Sequence, residues 1–216
     1  MKKILGILFG ACLLLASSAN AGGMLGIKYG TGELDATKNG YTAGSTTYAT
    51  ASKSKDSEYG AIFGELQIPA VDGLSLGLEI IPFTATIMLE NAKEAMTGAE
   101  LSDHTTLYAQ YMYDMGQGGL YAKVGYSKAD ISNVTQTAQS SGTSTVNSQS
   151  SSLEGPMVGA GYQSAEFGEG IVARAEATYT DYDDISVTTT SLGSTSVKKT
   201  ASAELITFSI SLAKKF

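Results

Sequence analysis

Hydrophobic and small polar residues alternate one by one along most of the chain. The alternation is clearest near the C-terminus, where the apolar residues Ile206, Phe208, Ile210 and Leu212 are separated by Thr207, Ser209, Ser211 and Ala213. A period of two is typical of a β-strand whose two faces meet different environments. Seven further segments repeat it, at residues 25–29, 62–68, 74–80, 107–113, 120–126, 158–162 and 171–179. We therefore predict eight strands of about ten residues each, which is the length that crosses a bilayer when a strand is tilted.

The links between these segments are alternately short and long. Short links are predicted at residues 69–73, 114–119 and 163–170, and long links at residues 31–57, 87–105, 132–152 and 183–202. Short turns on one side and long loops on the other are typical of outer-membrane barrels, with the long loops outside the cell. The predicted fold class is therefore all-β, an eight-stranded antiparallel up-and-down transmembrane β-barrel.

Three of the long links carry local patterns of their own. The helix-prone composition of residues 90–96 predicts a short surface helix. Residues 185–198 alternate around Gly193, which suggests a hairpin that rises beyond the membrane, and residues 46–50 suggest another. Tyrosines also stand near the predicted strand ends, where interface aromatics are expected, although ordinary β-propensity is an alternative explanation; they are Tyr29, Tyr59, Tyr113, Tyr126, Tyr162 and Tyr179.

The first 21 residues have the pattern of a secretory signal peptide. A basic start precedes an apolar run at residues 4–16, and Ala19 and Ala21 form an A-x-A cleavage site. The predicted division is a signal peptide at 1–21 and an outer-membrane barrel with four long extracellular loops at 22–216. Lipidation at Cys12 is the alternative, but the residues before it match a lipobox poorly.

Composition narrows the function classes. Charged residues make up 16% of the chain and the net charge is −7. An acidic balance argues against a nucleic-acid partner, because phosphate binding needs basic patches. A single Cys and a single His exclude a disulfide framework and multi-histidine metal centres. We expect no cofactor.

If the polar face of the strands lines the interior, six charged side chains point into the barrel. They are three cations and three anions: Lys28, Lys123, Arg174, Glu65, Glu79 and Glu176. At about 3.3 Å per residue and a tilt of about 40°, all six should share one layer roughly 10–18 Å up a band about 25 Å tall, with Gln110 at the same height. Such a paired set would form a structural plug, since an eight-stranded barrel is just wide enough for side chains to fill.

The chain resembles the small outer-membrane β-barrels of the OmpA/OmpX type. The matching pieces are the signal peptide, residues 174–181 on the seventh strand, and the ending from Ile206 to Phe216. The resemblance implies that the barrel-insertion machinery reads an assembly signal made of Phe208, Ile210, Leu212 and Phe216. Lys214 departs from the pattern, because it stands at a lipid-facing position. Related barrels with similar interior pairs also imply a gate, in which Arg174 exchanges acidic partners and opens a narrow water path.

Two functions from different classes follow. The first is a structural or surface-interaction role, adhesion-like, in which exposed Thr-rich strand edges pair with another strand. The alternative is a narrow passive pore, porin-like and gated by the interior charges. The expected partners are membrane lipid and lipopolysaccharide of a Gram-negative outer membrane, the insertion machinery and an external surface ligand, and the barrel is expected to be a monomer.

An enzyme and a soluble barrel are weaker alternatives. The spacing of His104 and Thr106 distantly matches the His-x-Ser pair of lipid-A deacylases, but His104 is expected to be a polar loop residue at the outer rim. Asp181, Asp183 and Asp184 could hold a cation at the same rim. A soluble lipocalin-like barrel would have to turn its charged face to solvent.

Overall fold

The fold is taken from a computed structural model, which describes residues 22–43, 46–82, 85–91, 94–137, 151–190 and 196–216. The predicted signal peptide lies outside these residues. The strands are β1 (Gly23–Lys38), β2 (Tyr41–Ala43), β3 (Thr46–Tyr48), β4 (Ala51–Gln67), β5 (Leu74–Ile81), β6 (Ala85–Asn91), β7 (Glu94–Asp114), β8 (Gly118–Thr137), β9 (Ser151–Ser164), β10 (Ile171–Thr190) and β11 (Ser196–Lys215). Within the described ranges, no helix is long and apolar enough to cross a membrane.

Eight of these strands close into an antiparallel barrel, which confirms the predicted fold class. The order around the ring is β5-β4-β1-β11-β10-β9-β8-β7, and a pairing between β5 and β7 completes it. β6 extends the sheet by pairing with the outer part of β7, and β2 and β3 form a separate hairpin. Closure satisfies the backbone polar groups around the ring, which a bilayer requires.

The strand register decides which side chains face outward. Ile27 lies opposite Ile62 of β4 and Leu212 of β11, and the next residue, Lys28, lies opposite Ser211. Ile27 is 65% exposed, whereas Lys28 is 6% exposed. The apolar positions therefore form the outer face and the charged positions line the interior. A soluble lipocalin-like barrel requires the reverse, so that alternative is wrong.

The outer face carries most of the predicted interface tyrosines. Five of them are exposed there: Tyr29, Tyr113, Tyr126, Tyr162 and Tyr179. Tyr59 is different, because its hydroxyl contacts the inward-facing residues Thr207 and Ser209. The interface prediction for Tyr59 is wrong, and its sequence parity with Phe63 and Glu65 already indicated an inward position.

The short links match the prediction, but the long ones do not. β5 follows β4 after residues 68–73, β8 follows β7 after residues 115–117, and β10 follows β9 after residues 165–170. On the outer side the strands run on into the predicted loops. β7 has 21 residues and β8, β10 and β11 have 20 each, roughly twice what a membrane crossing needs. The predicted link boundaries on this side are therefore wrong.

The helix predicted at residues 90–96 is also wrong. Glu90 and Asn91 belong to β6, and Glu94 to Met96 belong to β7, with Asn91 paired opposite Glu94. Cross-strand pairing has overridden the local helix propensity. Both predicted hairpins are confirmed in the described residues: β10 and β11 pair as far as Thr190 and Ser196, and β3 pairs with β2. Residues 138–150 of the third predicted loop lie outside the described residues.

Candidate functional site in the barrel interior

All six charged residues predicted to face inward are buried inside the ring, and they form two neutral groups. The first group is Arg174 of β10 with Glu65 of β4. The guanidinium binds the carboxylate bidentately, with Nη1 to Oε1 at 2.6 Å and Nη2 to Oε2 at 2.9 Å. The Nε of Arg174 also donates to Oε1 of Gln163 at 2.9 Å. This fork geometry fixes both partners, because a planar guanidinium matches a carboxylate in two bonds at once.

The second group is a chain of four charges. Lys28 of β1 binds the carboxylates of Glu79 and Glu176, the latter with Nζ to Oε1 at 2.5 Å. Lys123 of β8 binds the other oxygen of Glu176, also at 2.5 Å. Glu176 thus lies between two ammonium groups and has a side chain that is 3% exposed. Two cations and two anions leave this group without net charge.

Two tyrosines join the two groups. Tyr108 donates its hydroxyl hydrogen to Glu65 at 2.8 Å, and its ring lies 4.0 Å from the ammonium of Lys123. Tyr121 connects the groups in the opposite sense. Its hydroxyl donates to Glu176 of the second group at 3.1 Å, and its ring lies 5.1 Å from the guanidinium carbon of Arg174 in the first group. Each ring therefore accepts a cation from one group and holds a carboxylate of the other.

Glycines make room for these two rings. A Cβ at Gly77 would lie 2.3 Å from Cζ of Tyr108, and a Cβ at Gly161 would lie 2.4 Å from Cζ of Tyr121. Both glycines occupy the inward parity of their strands, opposite the tyrosines in register. Each tyrosine shares the inward parity of a predicted inward residue two positions later, Gln110 or Lys123, but neither was part of the predicted charge layer. Their pairing with an inward glycine on the next strand is the signal that was missed.

The predicted single layer is therefore a two-level network. Glu65 lies two residues before the end of β4 and Arg174 three residues after the start of β10, whereas Lys28 and Glu176 lie five residues from theirs. The Arg174 group consequently sits nearer the periplasm. Gln110 is buried as predicted, but its Oε1 has no partner among the described residues.

Apolar side chains close the interior on both sides of the network. On the periplasmic side, Met24, Phe63, Val172 and Ala213 form one buried cluster. On the outer side a second cluster forms from Ala129, Ile131, Leu153, Tyr182 and Ala203, with Leu34 and Leu205 packed against it. The described part of the lumen is therefore filled in turn by the periplasmic cluster, the charge network and the outer cluster.

His104 is not the loop residue that its sequence neighbours suggested. It lies in β7 beside a register shift, directly after Asp103, whose φ of 53° is left-handed. Its Nε2 is 2.9 Å from the hydroxyl of Tyr182, under the outer apolar cluster. Thr106 instead pairs with Ser127, at 2.8 Å between the two hydroxyl oxygens. The two residues of the deacylase-like spacing therefore have different partners.

The outer-rim acids do not converge on one point. Asp181, Asp183 and Asp184 are exposed, and Asp183 accepts a hydrogen bond from Tyr126 at 3.5 Å. No group of three His, Cys, Asp or Glu side chains in the described ranges is arranged to hold a metal ion.

The four residues of the predicted assembly signal lie on the outer face of β11 or at its end. Phe208, Ile210, Leu212 and Phe216 are 61%, 66%, 52% and 50% exposed. They form the apolar stripe that faces lipid on the last strand. Their role in assembly stays a prediction.

Comparison with known proteins supports this architecture. No protein-family model matches the chain, and no curated protein sequence matches it. Among solved structures it is similar to the outer membrane protein OprG from Pseudomonas aeruginosa, at 16% identity over 90% of this chain and 96% of that one, with a TM-score of 0.63. It is also similar to Ail of Yersinia pestis, at 14% identity over 90% and 99% of the two chains with a TM-score of 0.46, and to Neisserial surface protein A, at 15% over 89% and 97% with a TM-score of 0.47.

The fold shared with OprG and the geometry together define the class of protein. The chain is a small eight-stranded β-barrel of the outer-membrane type, as its sequence resemblance implied. Its apolar outer face and closed ring, together with this fold, place it in the cell outer membrane.

Proposed function

We propose that the protein is a filled outer-membrane barrel that displays long β-hairpins for surface interaction, in an adhesion-like role and without enzymatic activity. The observation that carries the proposal is a contrast along the same strands. Within the membrane their side chains close the lumen with paired charges and apolar clusters. Beyond the membrane the strands continue for about another crossing length.

An extended strand edge supports the adhesion-like part of the proposal. β10 pairs with β11 as far as Thr190, but in the described residues its pairing with β9 ends at Thr180 and Met157. Gly155 of β9 still lies against the backbone of Asp181 and Tyr182. From Ile185 to Thr190, β11 is the one strand paired with β10 in the described part of the chain. Such an edge can accept a strand from another protein, with main-chain hydrogen bonds providing affinity. In the same proposal the barrel is a monomer that is surrounded by membrane lipid and lipopolysaccharide. The barrel-insertion machinery recognises its last strand.

The test is adhesion of bacteria that express the full chain. Replacing residues 185–200 by a short turn should abolish binding to an epithelial cell layer, while heat-modifiable migration on gels shows that the barrel still folds. Thr189→Val is the matched control, because it changes a side chain and keeps the backbone edge. Adhesion that survives the shortened hairpin, or that is absent from the unmodified protein, contradicts the proposal.

A narrow pore is the second candidate, supported by polar atoms that need water. Oε1 of Gln110 and Nδ1 of His104 are buried and have no partner among the described residues. Ordered water normally satisfies such atoms, so part of the interior is expected to be hydrated. Gating by Arg174 would require it to leave Glu65, yet the neighbouring Glu176 is already held by two lysines. In planar bilayers, Arg174→Ala should conduct more than the unmodified protein if the interior charges gate a pore, and unchanged conductance would remove the gate.

A further inference from the structure

The outer face of the barrel is not evenly convex. A groove of 470 Å³ runs across β1, β4, β5 and β11, from Lys214 near the periplasmic ends up to Ile27 and Ile80, which are next in sequence to the buried Lys28 and Glu79. Its walls are apolar and include Leu25, Ile62, Gly64, Leu78, Ile80 and Leu212. These six residues have the lipid-facing parity of their strands, as do Ile27, Ile171 and Lys214, whereas Gly26, Phe63 and Ala213 have the inward parity. The groove therefore opens mainly toward the membrane.

Gly64 is the cause of this depression. It faces outward between Leu25 of β1 and Leu78 of β5, with which it is paired in register. Its lack of a side chain leaves the outer wall lower at this point. Leu25 and Leu78 on either side of it are half-buried, whereas outward residues elsewhere on the barrel, such as Val124 at 59% and Ile210 at 66%, are well exposed.

A lysine stands at the periplasmic end of the groove. Lys214 lines it, is exposed, and lies opposite Leu25 of β1 and Ile171 of β10. Its ammonium donates one hydrogen bond to the main-chain oxygen of Glu169. The next residue differs, since Lys215 faces the other way and binds the carboxylate of Glu166 at 2.8 Å. An ammonium has three donors, and a phosphate is a strong acceptor for such a group.

The depth of the groove limits its occupant. Leu25 is the third residue of β1 and Gly64 lies three residues before the end of β4, both on the side of the short turns. This side faces the periplasm, where the membrane leaflet consists of phospholipid and not of lipopolysaccharide. An occupant that fits both the apolar walls and the lysine therefore has an acyl chain and one phosphate.

We propose that this groove binds one phospholipid molecule of the periplasmic leaflet, with an acyl chain against Gly64 and the phosphate on Lys214. The site differs from the general lipid coat of the barrel, because a concave wall and a cation act on one molecule together. Lys214 departs from the usual lipid-facing residue of this strand, and a phosphate contact gives that departure a physical reason. The proposal rests on the barrel's orientation and is independent of the adhesion-like function.

Native mass spectrometry of the folded barrel tests the proposal with added phosphatidylglycerol. The unmodified protein should retain one lipid, and Lys214→Gln should lower that occupancy about fivefold, the ratio expected for one charge-assisted contact of modest strength. Lys215→Gln is the matched control and should retain the lipid. Gly64→Leu should also lose it by filling the groove, whereas Ala122→Leu, on the outer face of β8, should not.

Two outcomes would overturn the proposal. Equal lipid retention by Lys214→Gln and Lys215→Gln shows that Lys214 does not hold a phosphate. A protein dimer that dissociates in Gly64→Leu, with lipid retention unchanged, assigns the groove to a second copy of the chain. If Gly64→Leu fails to show heat-modifiable migration, the comparison of the two lysine variants decides the question.

Discussion

The charges inside the barrel and those on its outer rim follow opposite rules. Inside, each carboxylate is bound by a cation from another strand, as Glu65 is by Arg174. On the outer rim Lys128 and Glu154 form an ion pair, but two pairs of carboxylates face each other directly. Glu33 of β1 lies opposite Asp56 of β4, and Glu204 of β11 lies opposite Asp35 of β1.

The difference reflects the surrounding dielectric. An unpaired charge in a dry interior costs several kcal/mol, whereas at a wet surface water and salt screen repulsion over about 10 Å. The interior set sums to zero, since three cations meet three anions. The acidic excess of the chain, −7 in the full sequence, therefore lies outside the lumen. Strict pairing is expected where the environment enforces it, and like charges are tolerated where it does not.

The largest effect is expected for Glu176→Gln. This change leaves Lys28 and Lys123 buried without their shared carboxylate, and breaking a buried ion pair costs about 3–5 kcal/mol. The measurement is the free energy of unfolding in urea with detergent micelles. Glu204→Gln on the rim is the control and should change stability by less than about 0.5 kcal/mol. Similar losses for both variants would contradict the comparison.

A smaller effect is expected from a double-mutant cycle on the periplasmic pair. Glu65→Gln and Arg174→Gln should each destabilise the barrel, while the double variant should lose less than their sum. The coupling energy should be about 1–3 kcal/mol, because each single variant leaves one buried charge behind. Urea unfolding of the four proteins measures it, and additive losses would mean that the pair is not an energetic unit.

At the outer rim we expect a charge substitution to stabilise the barrel, whereas the interior substitutions destabilise it. Glu33→Lys places a cation opposite Asp56 and should stabilise the barrel by roughly 0.2–1 kcal/mol, the range for cross-strand charge pairs. Since the effect is screened, it should shrink in 1 M salt. Glu33→Gln should give a smaller gain. A destabilised Glu33→Lys protein at low salt would show that the opposed acids do not repel.

The smallest effect concerns the exposed pair of Lys128 and Glu154, on the outer side of the interface residue Tyr126. The hydrogen bond from Lys128 lowers the pKa of Glu154 from its ordinary value of 4.5. A lowered pKa in the folded state means that the pair's contribution is present above the unfolded pKa and is lost as pH falls through the folded one. NMR titration of the Glu154 carboxyl should show a rise toward 4.5 in Lys128→Met. An unchanged pKa in that variant would remove Lys128 as the cause.

The sequence predicted the orientation of the strands better than their extent. Alternation distinguished the outward position of Ile27 from the inward position of Lys28, because a shift of one residue in register would turn every side chain to the wrong face. Alternation also predicted the inward position of Tyr59. The assignment of Tyr59 as an interface aromatic, which rested on its place near a strand end, was wrong for that reason. The strand ends were missed because polar segments such as residues 132–137 lack an apolar face once they leave the membrane.

The interior partners could not be predicted for a different reason. Arg174 and Glu65 are 109 residues apart in the chain, and alternation says nothing about which strands meet across the lumen. The helix predicted at residues 90–96 was wrong for a similar reason, because contacts between strands decided the structure there. Local propensity favoured it, but pairing between β6 and β7 supplied hydrogen bonds that propensity does not count.

The amino-acid sequence by itself determined the eight crossings, the inward set of three cations and three anions, and the apolar outer face. These follow from a period of two read against a lipid environment, which is a local property of each strand. Tertiary structure decided how the charges divide into two neutral groups joined by Tyr108 and Tyr121, and where Gly64 opens the outer wall. Ring closure and strand register set those contacts, and both depend on residues far apart in the chain.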